Sequence, residues 1–183
     1  MRLERIAAVF AAGIASVLLL QAAAPKGWIL AGSKPKEYDT GVDSDSHAYL
    51  KATKPVDGFG TLMQSFEAGG YLGKRIRFTG LVKAQNVQDW AGLWMRVDKG
   101  TQPVAFDNMQ DRPIKGTSDW QSYDVVLDVP QEATGIAFGV LLSSSGTVWL
   151  DGLKFEIVSK DVPVTKGLPG LVSGPTNLNF AEK

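Results

Sequence analysis

The chain has 183 residues and 44% hydrophobic content, which is enough for one domain with a proper core and too little for two comfortable ones. Its 19 basic and 19 acidic residues give a formal net charge of zero, which argues against a basic surface that would attract nucleic acid. The sequence has no cysteine, so disulfides and a cysteine nucleophile are excluded and packing alone must hold the core.

The first 24 residues have the three-part pattern of a secretory signal. Arg2 and Arg5 precede an apolar stretch of about 15 residues, and small residues follow it. An Ala22-x-Ala24 cleavage site would place Pro25 after the scissile bond, so cleavage elsewhere or no cleavage stays open. Residues 6–24 also approach the roughly 20 residues that span a bilayer. We predict a periplasmic or secreted protein, with an uncleaved inner-membrane anchor, its only membrane contact, as the alternative.

From Gly27 onward the apolar residues recur with period two, and turn residues separate the apolar runs. This pattern predicts about eight to ten antiparallel strands in a sandwich or barrel. Residues 136–142 are apolar on both faces, so this strand should lie in the middle of a sheet, and a β-bulge is expected at Asp151-Gly152. Residues 159–175, rich in Pro, Gly and Val, indicate a linker or a surface strap. The predicted strands are 28–31, 38–42, 48–52, 62–66, 74–83, 92–97, 104–106, 123–129, 136–142 and 146–158.

A predicted hairpin turning at Lys99-Gly100 carries the strongest candidate binding surface. Its register places Leu93, Met95, Val97, Val104 and Phe106 on the core face. Trp90, Trp94 and Arg96 take the other face, near Asp107. Two indoles four residues apart lie roughly 13 Å from each other along a strand and can stack on successive sugars. The alternative is that both indoles are buried, as tryptophan mostly is.

The segment from Phe106 to Trp120, FDNMQDRPIKGTSDW, is the most polar connection in the chain. Its oxygen ligands lack the spacing of a calcium loop, and Asp and Asn commonly cap turns, so we predict a structured connection. Long loops in compact domains are often functional. Beside the exposed face of the hairpin, the candidate ligand-binding residues are therefore Asp107, Asn108, Asp111 and Arg112.

Catalytic and metal motifs are weak in this sequence. Hydrolysis of a glycan needs two facing carboxylates, and no pair of aspartates is distinguished; a G-x-S-x-G motif is absent. Asp43, Asp45 and His47 could chelate a metal from one strand face, although a solvated turn is the favoured interpretation. We predict a protein without enzymatic activity.

Four stretches carry a resemblance to a known family: WAGLWMRVD, FDNMQDRPIKGTSDWQSYDVVLDVP, ATGIAFGVLL and GTVWLDGLKFEIV. They resemble a bacterial family of uncharacterised β-sandwich domains often labelled AraC-type transcriptional regulators, which is similar to galactose-binding-like jelly rolls and carbohydrate-binding modules. The resemblance covers residues 27–158 and implies an all-β, antiparallel, jelly-roll-like β-sandwich. The regulator label is not carried over, because the chain combines an export signal with no helix-turn-helix pattern. We expect no nucleic-acid partner.

The resemblance also implies a role for the C-terminus. Such jelly rolls open with an N-x-x-F-E strand before the Gly-Trp pair, whereas this chain has N-L-N-F near its end, so residues 176–183 are expected to complete the sandwich. Related modules hold a structural calcium through that Glu and an aspartate that Asp151 matches. Ala181 stands where the Glu is expected, so Asp151 is a weak metal candidate and no cofactor is predicted.

These observations predict an exported, non-catalytic binding module whose ligand is a glycan or another component of the cell envelope. The alternative is a structural or protein-interaction domain with an envelope protein as its partner. A glycan-active enzyme is the third hypothesis.

Overall fold

The computed structural model describes residues 23–165, which form nine strands and two single-turn 3-10 helices, Pro35–Glu37 and Ala68–Tyr71. The all-β, antiparallel prediction is confirmed. The strands are β1 (Ile29–Gly32), β2 (Tyr38–Val42), β3 (Ala48–Ala52), β4 (Phe59–Glu67), β5 (Arg75–Lys99), β6 (Gln102–Asp107), β7 (Ile114–Asp128), β8 (Gly135–Ser143) and β9 (Thr147–Val158). The predicted C-terminal strand, and nearly all of the predicted signal or anchor segment, lie outside the described residues.

The long strand β5 belongs to two sheets. Residues 75–85 pair with β7 on one side and β9 on the other, and the β7 pairing continues to Ala91. Residues 90–98 pair with β8, and residues 95–99 pair with β6. The strand orders are therefore β7-β5-β9-β3-β2 and β1-β4-β8-β5-β6, which we call the first and second sheets. Register shifts against β7 mark the polar middle of β5, where bulges bend a strand. The prediction of two separate strands here is wrong, because this polar stretch interrupts the alternation without ending the pairing.

The hydrophobic core lies between the two sheets. Phe138 of β8 packs edge-on against Phe155 of β9 and Phe78 of β5, with ring centroids 4.9 Å and 5.1 Å away. All residues from Ile136 to Leu142 are buried, and β8 is paired on both sides. The prediction that this strand lies in the middle of a sheet, covered on both faces, is confirmed.

The last strand is irregular where the sequence predicted a bulge. Thr79 pairs with Lys154, but Leu81 pairs with Asp151, so β9 has an extra residue at this point. Gly152 adopts φ 59°, a left-handed conformation that glycine takes without strain. The predicted bulge at Asp151-Gly152 is confirmed.

Residues 159–165 lie against the free edge of β7. The Thr165 amide donates to the carbonyl of Val126 (3.0 Å), and the Val126 amide donates to the Thr165 hydroxyl (2.9 Å). The Arg75 guanidinium donates to the carbonyls of Lys160 (2.7 Å) and Val162 (2.6 Å). This segment satisfies backbone groups that an open sheet edge would expose. No helix in the described part of the chain is long and apolar enough to cross a membrane.

Candidate functional site

A groove runs over the outer face of the second sheet. One part has a volume of about 390 Å³, and an adjoining part of about 470 Å³ extends toward the turn after β5. Met63 and Arg96 line both parts, so the two form one continuous depression, here called the groove. Its first part is lined by Ala31, Gly32, Phe59, Thr61, Met63, Trp94, Arg96, Phe106 and Leu141.

Trp94 forms the floor of the groove. Only 6% of it is exposed, and its indole nitrogen donates to the Thr61 hydroxyl (2.7 Å), which in turn donates to the carbonyl of Val140 (2.7 Å). Trp90 is half-buried and packs against the same small cluster. From the sequence, the two indoles could be either exposed or buried. The structure shows that Trp94 is buried.

The β5-β6 hairpin contains a bulge that the predicted register lacks. Lys99 pairs with Gln102, but Val97 pairs with Ala105, which leaves Val104 as the extra residue. Phe106 therefore lies opposite Arg96 on the groove face, and its ring centroid is 6.5 Å from that of Trp94. Because β6 has one extra residue, every side chain of β6 after Val104 faces the side of the sheet opposite to the predicted one.

The inverted alternation corrects two predictions. Asp107 pairs with Met95, on the core face, instead of facing a ligand, and Phe106 faces the groove instead of the core. On β5 itself the prediction is confirmed, because Leu93, Met95 and Val97 are fully buried.

The Asp107 carboxylate is fully buried and accepts several hydrogen bonds. The donors are the Arg112 guanidinium (2.6 and 3.2 Å), the Met109 amide (2.9 Å) and the Thr165 hydroxyl (2.5 Å). Burial alone would raise the pKa of Asp107, but the hydrogen bonds from Arg112, Thr165 and Met109 outweigh it and hold the pKa below its usual value. Asp107 is thus enclosed by the loop and does not line the groove that Arg96 faces.

The rest of this loop is also engaged within the protein. Arg112 donates to the carbonyl of Asp124 (3.0 Å) and to Asp111 (3.1 Å), and Asn108 accepts from the Gln110 amide (3.3 Å). Met109 is buried at φ 59°. Asn108, Asp111 and Arg112 do not line the groove.

Arg96 is the predicted site residue that remains accessible in the groove. Its side chain is 41% exposed and makes an ion pair with Asp98 (2.9 Å). Sequence reasoning missed Phe59, Met63 and Phe106 as neighbours of Arg96. The alternation of β4 carried a signal for Met63, because Leu62 faces the core, whereas Phe106 depended on the bulge.

A second pocket, of about 390 Å³, lies on the outer face of the first sheet. It is lined by Asp43, Asp45, His47, Lys83, Ala84, Gln85, Thr117, Trp120 and Trp149, and we call it the Trp149 pocket. The potential ligand atoms of Asp43, Asp45 and His47 lie within 4.8 Å of one another.

The Asp43 carboxylate in this pocket is already used by a turn. It accepts hydrogen bonds from the amides of His47 (2.9 Å) and Asp45 (3.0 Å), and the His47 amide is the main cause of the lowered pKa of Asp43. This arrangement is that of the turn favoured by the sequence. Asp151 is exposed, accepts a bond from the Gly152 amide (2.7 Å), and belongs to no cluster of three potential metal ligands in residues 23–165.

Comparison with solved structures defines the class of fold. The CBM22-1 xylan-binding domain of Paenibacillus barcinonensis Xyn10C aligns with a TM-score of 0.52 at 12% identity, covering 75% of this chain and 90% of that domain. An apo cyclase from Fischerella sp. aligns with a TM-score of 0.50 at 15% identity, covering 80% of this chain and 93% of the cyclase. The protein therefore has the jelly-roll β-sandwich fold of carbohydrate-binding modules.

Comparison with curated proteins gives a relative in Bacillus subtilis (strain 168), the uncharacterized HTH-type transcriptional regulator YbfP. The alignment of 169 positions is 45% identical and covers 86% of this chain, and the chain spans 57% of the length of YbfP. No family model matches the chain. The relative carries the regulator name and the fold is that of carbohydrate-binding jelly rolls, so the resemblance found in the sequence is confirmed.

Proposed function

We propose that this protein is a non-catalytic module that binds an extended glycan in the groove of the second sheet. The observation that carries the proposal is a continuous depression that places an apolar floor beside a charged wall. Trp94, Phe106 and Met63 supply the apolar surface, and Arg96 with Asp98 supplies the charge.

This combination suits the chemistry of a sugar chain. A pyranose ring has apolar C–H faces that pack on aromatic surfaces and a rim of hydroxyl groups that donate and accept hydrogen bonds. Trp94 is held by its bond to Thr61, so the floor is ordered before a ligand arrives and little side-chain entropy is lost on binding. The elongated form of the groove favours several consecutive sugar units.

The fold supports this function only in general terms. The solved domain from Paenibacillus is named as xylan-binding, but cyclases share the same fold, so the groove is the feature that supports glycan binding. The regulator name belongs to a relative of which this chain spans 57%. We propose a periplasmic or secreted location, on the basis of the N-terminal pattern, and no contact with nucleic acid.

A glycan array tests the proposal with the wild type and the variants Arg96→Ala and Phe106→Ala. Arg96→Ala should weaken binding at least about tenfold, since a hydrogen bond to a charged group contributes about 1.5–3 kcal/mol and a tenfold change is about 1.4 kcal/mol. Phe106→Ala should also weaken binding, because it removes an aromatic surface on which a sugar ring packs. Trp94→Ala is a poor test because a buried indole also stabilises the fold.

Arg77→Ala is the matched control. Arg77 is another partly exposed arginine of β5, but it lies in the part that belongs to the first sheet, where it pairs with Asp124 (3.4 Å). The Arg77→Ala variant should bind glycans as tightly as the wild type does. An array on which the wild type binds nothing would contradict the proposal and favour an envelope protein as the partner.

A further inference from the structure

We propose that the Trp149 pocket is a second, separate saccharide site, which takes a single sugar unit or the end of a glycan chain. It lies on the outer face of the first sheet, whereas the groove lies on the outer face of the second. The inference goes beyond the proposed function, because it concerns other residues and stands even if the groove binds nothing.

Two indoles face this pocket from strands on either side of β5. Trp149 of β9 pairs with Lys83 of β5, and Trp120 belongs to β7, the other neighbour of β5. Strands in a sheet lie about 4.8 Å apart, so the two tryptophan backbones are roughly 10 Å apart with Lys83 between them. Both indoles are half-buried and each keeps part of its surface open to the pocket.

The turn between β2 and β3 forms the wall of the pocket. The Asp43 amide donates to the carbonyl of His47 (2.9 Å), and Ser46 adopts φ 70°, so the turn is tight. The His47 ring contacts the Trp120 ring, with centroids 4.7 Å apart. Since β9 and β5 lie between β3 and β7, this contact requires the turn to reach over the face of the sheet. The Trp149 pocket is therefore a walled site on the sheet.

The polar groups around the indoles include both donors and acceptors. Lys83 and Gln85 provide donors along β5, and the carboxylate of Asp45 provides acceptors on the turn. The hydroxyl groups of a sugar both donate and accept hydrogen bonds, and the apolar face of its ring packs on an indole. The volume of about 390 Å³ lies within the range of about 300–1,000 Å³ that small-ligand sites occupy.

Two other ligand classes fit the pocket less well. A metal ion would compete for the Asp43 carboxylate, which already accepts two backbone hydrogen bonds and contacts the His47 ring nitrogen Nδ1 at 3.3 Å. A quaternary ammonium ion would find two indoles and carboxylates, but it would also meet the ammonium group of Lys83. A neutral saccharide suffers neither conflict.

The test is titration of the full chain with cello-, xylo-, manno-, galacto- and chito-oligosaccharides, followed by two-dimensional NMR of the indole N–H groups. At least one oligosaccharide should shift the Trp120 and Trp149 signals, and Trp149→Ala should weaken its binding at least about tenfold, as expected for loss of an aromatic stacking surface. Lys83→Ala and Asp45→Asn leave both indoles in place. Each should weaken the binding of that oligosaccharide severalfold. These two variants keep the proposal testable if Trp149→Ala does not fold.

The groove variants separate this site from the first one. Arg96→Ala and Phe106→Ala should leave binding at the Trp149 pocket unchanged, so failure of the groove and failure of the pocket give different results. The proposal is overturned if no oligosaccharide in the panel shows binding that depends on Lys83, Asp45 or Trp149. It is also overturned if Ca²⁺ or tetramethylammonium, added as controls, shifts the two indole signals and the sugars do not.

Discussion

Asp107 is a buried charge whose partners come both from its own loop and from the end of the described chain. Arg112 belongs to the same loop, whereas Thr165 lies beyond the last strand and reaches back to the same carboxylate. A buried charge that loses its partner is far more costly than an exposed one, because water cannot replace the missing interaction. The Asp107 carboxylate therefore adds a buried side-chain contact to the bonds with Val126 and Arg75 that hold residues 159–165 on β7.

At this residue we predict a large loss of stability on substitution. Asp107→Ala should lower the free energy of unfolding by about 3 kcal/mol, since breaking a buried ion pair typically costs about 3–5 kcal/mol and Arg112 is partly solvated. Urea denaturation of the variant and the wild type measures this difference in the free energy of unfolding. Asp111→Ala removes the exposed carboxylate on the same Arg112 and should cost less than about 1 kcal/mol. Equal effects of the two substitutions would contradict the buried-pair account.

The loop of residues 107–113 acts as an element of the core. Met109 is buried and packs directly on the backbone of β5, where Gly92 leaves room for it. A Cβ atom at Gly92 would lie 2.9 Å from the carbonyl oxygen of Asn108 and 2.8 Å from Cβ of Met109. This close approach explains why glycine is required at that point of the strand.

Gly92→Ala should therefore displace the loop from β5. We expect the free energy of unfolding to fall by about 1–3 kcal/mol, the typical cost of overpacking a filled core. Thermal denaturation with calorimetry measures the change. The control is Gly69→Ala, because a Cβ there meets nothing within 4 Å. A stability of Gly92→Ala equal to that of the wild type would show that the loop is not packed as described.

Local patterns predicted the elements well where one face of a strand is buried. The bounds of β2 and β3 agree with the prediction, and β8 is buried on both faces as expected. The alternation of side chains is a property of the strand itself, so it can be recognised without its neighbours.

Features that depend on a partner strand could not be recognised in this way. The extra residue Val104 has no mark in the sequence, because a bulge is defined by the pairing across the hairpin. The same holds for the wall of the Trp149 pocket, where His47 meets Trp120 from a distant strand. The sequence pointed to Asp43, Asp45 and His47 only as a turn or a metal site, and the structure brings them together with Trp120 and Trp149 in one pocket.

The whole domain should lose stability in acid. Asp128 accepts hydrogen bonds from Arg75 (3.0 and 2.8 Å) and Lys160 (2.6 Å), and these, led by Arg75, lower its pKa from 3.8 to about 2. The pKa of Asp128 is lower in the folded state than in the unfolded state. Its charge therefore stabilises the fold fully at pH values above the unfolded-state pKa, and this stabilisation is lost as the pH falls through the folded-state pKa. The relevant window lies between about pH 4 and pH 2.

Comparison of the wild type with Asp128→Asn isolates this contribution. The wild type should be more stable at pH 6, and the difference between the two proteins should shrink toward zero as the pH approaches 2. The midpoints of urea denaturation at several pH values measure this difference in stability between the two proteins. The effect is modest because the Asp128 side chain is 42% exposed and water screens the pair. A difference that does not change with pH would contradict this role for the charge.

The shared strand β5 has a mechanical consequence. Lys83 in the Trp149 pocket and Arg96 in the groove lie on one unbroken stretch of backbone, on opposite outer faces of the sandwich. If the groove and the Trp149 pocket each bind a ligand, tension between the two ligands would run along covalent bonds of this strand. Its hydrogen-bond ladders to β7, β8 and β9 would then be loaded together along the strand direction, in shear, and would not open one bond at a time.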